Sequence, residues 1–162
     1  MDKTTIIYAE SGLHYDWQAI AARPNGEHVA QMDPVAYKAL YTNKIAQARA
    51  CGQEPVMVSL PIIDADRYFM HITRGMTMQE RKNILCWLGG STDRLRKIHD
   101  LYNLALFRLA AQQCVHIVDI TSPMLACVHG ESLLDADGIT LSQAGSALVN
   151  AEINKVREQA TA

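Results

Sequence analysis

Two clusters of polar side chains in this sequence follow apolar runs that read as strands, and they carry the first chemistry worth weighing. His14 and Asp16 flank Tyr15 just beyond the run Thr4 to Ala9. The carboxyl end of a strand is where ligands bind in open α/β sheets, so the pair reads either as part of a ligand cleft or as plain loop residues. Asp64, Asp66, Arg67 and Tyr68 follow the run Pro55 to Pro61 and face the same cleft. The planar fork of Arg67 suits an anion, although pairing with Asp64 or Asp66 is the commoner outcome for such an arginine. His129, Glu131, Asp135 and Asp137 form an acidic loop with one histidine. Its irregular spacing lacks the i, i+4 ligand pair of a helical metal site, so no metal is expected and a solvated loop is the simpler reading. Gly89-Gly90-Ser91-Thr92 has the look of a nucleophile turn, but no base lies near it in sequence. It reads as a helix break whose hydroxyls cap the next helix. Trp17, Trp87, His71, His99 and His116 read as packing or surface residues.

These side chains need a scaffold, and the apolar pattern supplies one. Thr4 to Ala9, Pro55 to Pro61 and Val115 to Ile120 are short β-like runs, the last two almost continuously apolar, as in parallel strands covered on both faces. Between them lie helical patterns. Asp33 before Pro34 is an N-cap with proline at N1; Tyr37, Tyr41, Ile45 and Ala48 share one face, and Gly52 closes the helix. A short helical stretch covers Gln79 to Leu88, and a longer helix runs from about Thr92 to Gln113 with Leu95, Ile98, Tyr102, Ala105 and Leu109 as its buried stripe. A last helix begins near Ser142 and buries Leu148, Ile153 and Val156. This alternation predicts a parallel sheet in an α/β domain, single over residues 1–162.

Composition excludes several classes. With 162 residues, 49% hydrophobic and 20% charged, the chain has enough apolar mass for one core, and a net charge of −2 offers no field for nucleic acid or an anionic membrane. No apolar run reaches the ~18 residues of a membrane span. Met1-Asp2-Lys3 leads into a strand-like stretch and not a signal-peptide core, so the expected location is the cytoplasm. The four cysteines are widely spaced without a CxxC pair and read as buried or half-buried free thiols.

Three segments carry a more specific likeness. PIIDADRYFMHITRGMTMQERKNILCWLGG, from Pro61 to Gly90, is similar to a "PPIDAxRYFxWISRGL … NILxWLGD" track in a bacterial branch of the SGNH/GDSL hydrolases. Tyr102-Asn103-Leu104-Ala105 leading to Val118-Asp119-Ile120 resembles that branch's "YN.A … PLIDI". Asp137-Gly138-Ile139-Thr140, continuing to Gly145, resembles its closing "DGIHPNxxGH" block, and Ser11 to Trp17 aligns with its "NDCDFDW". With gaps, the likeness runs from about Ile6 to Val149 in the family's order.

The resemblance implies a three-layer α/β/α, flavodoxin-like domain with a parallel sheet of order 2-1-3-4-5, in which the first two strands and the blocks carrying the serine nucleophile and an oxyanion glycine would lie before Met1. It also assigns roles. Ser11 stands at the oxyanion asparagine, Gly12 at the aspartate beside it, Thr140 at the catalytic histidine and Asp137 at the triad aspartate. A threonine hydroxyl is no general base near neutral pH, so only Asp137 keeps its part and the chain is expected to be inactive as an esterase. The implied ligand is a small acyl-ester-like molecule held near His14, Asp16, Asp64 and Arg67, with no cofactor. Two alternatives stay open: an active hydrolase part completed by an upstream segment or partner, and a non-catalytic small-ligand module. The apolar first strand, with Ile6, Ile7 and Tyr8, would leave an open edge that pairs with a second copy of the chain, a separately encoded front fragment or a rearranged amino terminus.

Overall fold

A computed structural model describes residues 3–161; the Met1-Asp2 start of the leader reading lies outside them. Three strands, β1 (Thr4–Ile7), β2 (Glu54–Val58) and β3 (His116–Val118), form a parallel sheet in the order β1-β2-β3. Thr4 aligns with Glu54, and Val56 with His116. Each strand is shorter than its apolar run. Past Val58 the chain leaves the ladder for a side-chain network: the Leu60 N–H donates to Asn103 Oδ1 at 2.8 Å, and the Ile120 N–H donates to Ser59 Oγ at 2.9 Å.

Alternation along the strands sorts the core into two layers. Ile7 and Met57 point to one face, against Tyr37, Tyr41 and Ile45 of α2 (Pro34–Ala50) and Tyr102, Leu106 and Leu109 of α5 (Asp93–Gln113). Val56, Val58 and Val118 point to the other, against Val149 and Ile153 of the long C-terminal helix α7 (Gln143–Thr161). The period of two in the strands and of 3.6 in the helices meet here to give three layers. The local signals behave as read. Asp33 Oδ1 accepts the Ala36 N–H at 2.8 Å with Pro34 at the first helical position, and Gly52, at φ +70°, follows the end of α2.

A third cluster covers the carboxyl end of the sheet. It packs Leu13, Ile20, Tyr68, Ile84, Leu88 and Leu95 from the loop after β1, α1 (Trp17–Ala22), α3 (Ala65–Ile72), α4 (Met78–Trp87) and the start of α5. Trp17 and Trp87 belong to it as packing residues, with ring centroids 6.1 Å apart. A further short helix, α6 (Thr121–Ala126), follows β3, and a 3₁₀ turn at Gly130–Leu133 leads toward α7. Gly89 and Gly90, at φ +80° and +90°, break the chain between α4 and α5, and Ser91 Oγ accepts the Asp93 N–H there. The cysteine reading needs correction: Cys51, Cys86 and Cys114 are exposed and Cys127 is half-buried, all four free. Cys51, Cys114 and Cys127 sit at helix C-caps.

Candidate functional site

The loop after β1 is held from several sides by tyrosines. The Tyr37 hydroxyl donates to the Glu10 carbonyl at 2.7 Å, and the Glu10 N–H donates to the Tyr41 oxygen at 2.9 Å. The Tyr68 hydroxyl donates to the Leu13 carbonyl at 2.9 Å. Gly12, between these clamps, lies flat under Tyr102: a Cβ built there would meet its ring at 2.2 Å. No aspartate fits at that position beside Tyr102. Ser11 is therefore fixed by packing on both sides of it, the arrangement a positioned functional group requires.

Ser11 faces a histidine. Its Oγ lies 2.8 Å from His99 Nδ1, and His99 Nε2 lies 2.6 Å from the Pro61 carbonyl oxygen. A carbonyl only accepts, so Nε2 carries the proton, Nδ1 is the bare acceptor, and the serine hydroxyl donates to it. Within α5, His99 is only 3% exposed. Burial pulls its pKa below the ordinary imidazole value, against smaller opposing effects of the Pro61 carbonyl and Asp100, which keeps the ring neutral. The Leu13 N–H donates to Ser11 Oγ at 3.3 Å.

Ser11, His14, His99 and Thr140 line one cleft of ≈ 320 Å³, with Ile62, Ile63 and Ile139 as apolar wall. It sits at the carboxyl ends of β1 and β2, the place ligands take in open α/β sheets. Thr140 is exposed at its rim. The Thr140 hydroxyl donates to Asp137 Oδ2 at 2.6 Å, while the N–H groups of Ile139 and Thr140 donate to Asp137 Oδ1 at 3.0 and 2.9 Å. Desolvation raises the Asp137 pKa, but these three donors, with His71 contributing, outweigh it and hold the carboxyl below the ordinary aspartate value. Gly138 completes the corner. At φ +75°, its carbonyl accepts the Asp64 N–H at 2.8 Å, and a Cβ would come within 2.6 Å of Asp64 backbone oxygen.

The remaining residues expected in this cleft serve elsewhere. Asp16 caps α1 by accepting the Ala19 N–H at 3.0 Å. Asp64 caps α3 by accepting the Arg67 N–H at 3.1 Å, and pairs with the Arg67 guanidinium at 3.5 Å. Arg67 also donates to the carbonyls of Glu131 and Asp135, at 3.0 and 3.4 Å, pinning the loop before α7. Asp64 borders a separate cleft of ≈ 510 Å³ with Asp93 and Arg96, and Arg67 another of ≈ 410 Å³ with Arg74 and Arg81. Thus Ser11, His14 and Thr140 come together, and Asp16, Asp64 and Arg67 do not join them. The residue the sequence did not single out is His99. Its signal was an ionisable side chain on the apolar stripe of α5, between Leu95 and Tyr102. Among the described residues no group of three or more His, Cys, Asp or Glu is placed to hold a metal.

Comparison with solved structures decides the fold. A protein from Slackia heliotrinireducens assigned to the SGNH hydrolases superposes with a TM-score of 0.56 at 20% identity, over 94% of this chain and 64% of its own. The chain has the SGNH/GDSL hydrolase fold. A GDSL-like lipase from Bacteroides thetaiotaomicron matches at TM-score 0.55 and 15% identity, over 96% of this chain and 62% of its own. A lipase/acylhydrolase from Enterococcus faecalis matches at 0.51 and 18%, over 96% and 60%. The chain therefore spans 60–64% of the length of the structures it matches. No protein-family model and no curated protein matches its sequence. No helix among the described residues is long and apolar enough to cross a membrane.

Proposed function

We propose that this SGNH-type domain binds a small acyl-ester-like molecule in the cleft between Ser11 and Thr140 and does not turn esters over by the triad route. The observation that carries this reading is the Asp137–Thr140 corner. It holds a carboxylate and a hydroxyl bonded to each other, and among the described residues neither is hydrogen-bonded to an imidazole. A carboxyl held below its ordinary pKa is a weak base, and a threonine hydroxyl is weaker still, so neither serves proton transfer near neutral pH. The apolar wall of Ile62, Ile63 and Ile139 suits a short acyl chain, and His14 at the mouth suits a polar head.

The test is steady-state hydrolysis of p-nitrophenyl butyrate by the unmodified chain and by Thr140→His. Titration with ethyl butyrate, followed by NMR, runs beside it. The reading expects no sustained turnover in the unmodified chain and shifts confined to the cleft residues. Sustained turnover, or no shift at Ile62, Ile139 or His14, contradicts it.

We propose in addition that the outer edge of β1 is an association surface for a second copy of the chain. β1 is an outer strand of the sheet, and a groove of ≈ 450 Å³ lined by Ile6, Ile7, Tyr8, Lys44 and Gln47 runs beside it. Strand edges with apolar neighbours are templates for pairing.

A further inference from the structure

We propose that Ser11 and His99 form a nucleophile–base pair that accepts an acyl group from a small activated ester and keeps it as a covalent acyl-serine. The proposal rests on the reading that the cleft admits acyl esters, and adds a covalent step to it. No other hydroxyl near the cleft is so placed. The Thr140 proton is committed to a carboxylate that is a poor base, and Ser91 is exposed at a helix break, its Oγ accepting the Asp93 N–H. Among the described residues Ser11 alone has its hydroxyl against a bare imidazole nitrogen, and that imidazole is itself oriented by a third group, the Pro61 carbonyl. A nucleophile, its base and an orienting group within hydrogen-bond reach, on the wall of one cleft, is the arrangement that activates a hydroxyl.

The step balances without any further reactant. Ser11 Oγ attacks the ester carbonyl carbon while its proton passes to His99 Nδ1. The bond to the leaving oxygen breaks, the imidazolium returns the proton to that oxygen, and the products are acyl-Ser11 and the free alcohol. Two features set its pace. Two donors beside the cleft are already engaged, the Leu13 N–H with Ser11 Oγ itself and the Thr140 hydroxyl with Asp137, and neither is free to hold a developing oxyanion. Loss of such a donor costs about 10²–10³ in rate, so only a good leaving group reacts quickly. The imidazole is buried, only 3% exposed, so water reaches it poorly once the cleft holds the ester, and the acyl group stays. The outcome is one acylation per chain and not turnover.

On its own helix His99 has Asp100 and Arg96 nearby, the loop after β1 brings Glu10 and His14 to its cleft, and α3, which packs against α5, carries Asp66, Arg67 and His71. Pro61, Ile62 and Ile63 after β2, and Ile139 at the rim, bring none. Ionisation of His99 itself, below the ordinary imidazole value of 6.5, should govern the acylation rate, which rises through it and levels above.

The experiment is intact mass and peptide mapping of the full chain after exposure to p-nitrophenyl acetate, with stopped-flow release of p-nitrophenolate. The expected result is one acetyl group per chain on Ser11, a matching burst with no sustained phase, and loss of both in Ser11→Ala. In His99→Gln the burst slows about 100-fold or more, the usual scale of a lost general base. If His99→Gln does not fold, the rate–pH profile of the unmodified chain decides instead. Acetylation on lysines only, an unchanged rate in a folded His99→Gln, or a rate climbing with hydroxide and no plateau overturns the proposal. Ethyl butyrate shifts in the cleft without any Ser11 adduct would overturn this step and leave the binding reading standing; absence of both defeats the two together.

Discussion

His99 sits where a buried, neutral imidazole has a measurable consequence for stability. Its folded pKa lies below its ordinary value of 6.5 because burial disfavours the charged ring. The unfolded chain therefore binds a proton at higher pH than the folded one does. The contribution of this residue to stability is complete above about pH 6.5 and is lost as pH falls through the depressed folded value. Chemical denaturation of the unmodified chain and of His99→Gln at pH 7.5 and pH 5 checks this. The stability difference between the two proteins should narrow at the lower pH; a difference that does not change would refute it. Asp137 has the same sign for a different reason, since its donors stabilise the carboxylate and protonation discards them. The Ser11–His99 contact could not be read from the sequence, because 88 residues separate the partners and no local spacing encodes it. The fates of Asp64 and Arg67 were half legible. Their mutual pairing is the commoner outcome for such neighbours, but the bonds of Arg67 to the carbonyls of Glu131 and Asp135 depend on where a distant loop comes to rest.

Among the elements, α5 does the most to assemble the site. One face of it carries Leu95, His99, Tyr102, Asn103 and Leu106, so the same helix packs the core, presents the imidazole, covers Gly12 and ties down the strand ends. Asn103 is the clearest case. It accepts the Leu60 N–H and donates to Thr121 Oγ1 at 3.0 Å, linking the segments that follow β2 and β3. Asn103→Ala leaves a buried backbone donor without its partner, which should cost about 1–3 kcal/mol. Urea denaturation measures it, and a loss under a few tenths of a kcal/mol would show the network to be dispensable. The long helices were legible because their signals are local: Asp33-Pro34 opens α2, and Tyr37, Tyr41, Ile45 and Ala48 repeat along its buried face. The short helices α1, α3 and α6, of 6, 8 and 6 residues, were not. Each spans about two turns or fewer, too few for a periodic stripe, and the acid that caps α1 or α3 reads in sequence as a cleft carboxylate.

At the scale of the whole molecule, a three-stranded parallel sheet leaves β1 on the outside with Tyr8 55% exposed beyond it. An isologous pair across this edge would run two β1 strands antiparallel about a twofold axis. Sedimentation velocity should find a dimer that Tyr8→Lys shifts toward monomer, because a charge on a strand edge opposes pairing. A monomer over the whole concentration range would remove the proposal. The likeness to SGNH/GDSL structures holds over 94–96% of this chain, so the frame that brings Ser11, His14 and Thr140 to one cleft is that fold's frame. We propose that what this chain does with it depends on the Asp137–Thr140 corner, where the carboxylate is bonded to a hydroxyl. Steady-state release of p-nitrophenolate from p-nitrophenyl butyrate by the unmodified chain tests that most directly. The account predicts at most a single burst and then no rate above the buffer; continuing turnover in proportion to protein concentration would contradict it.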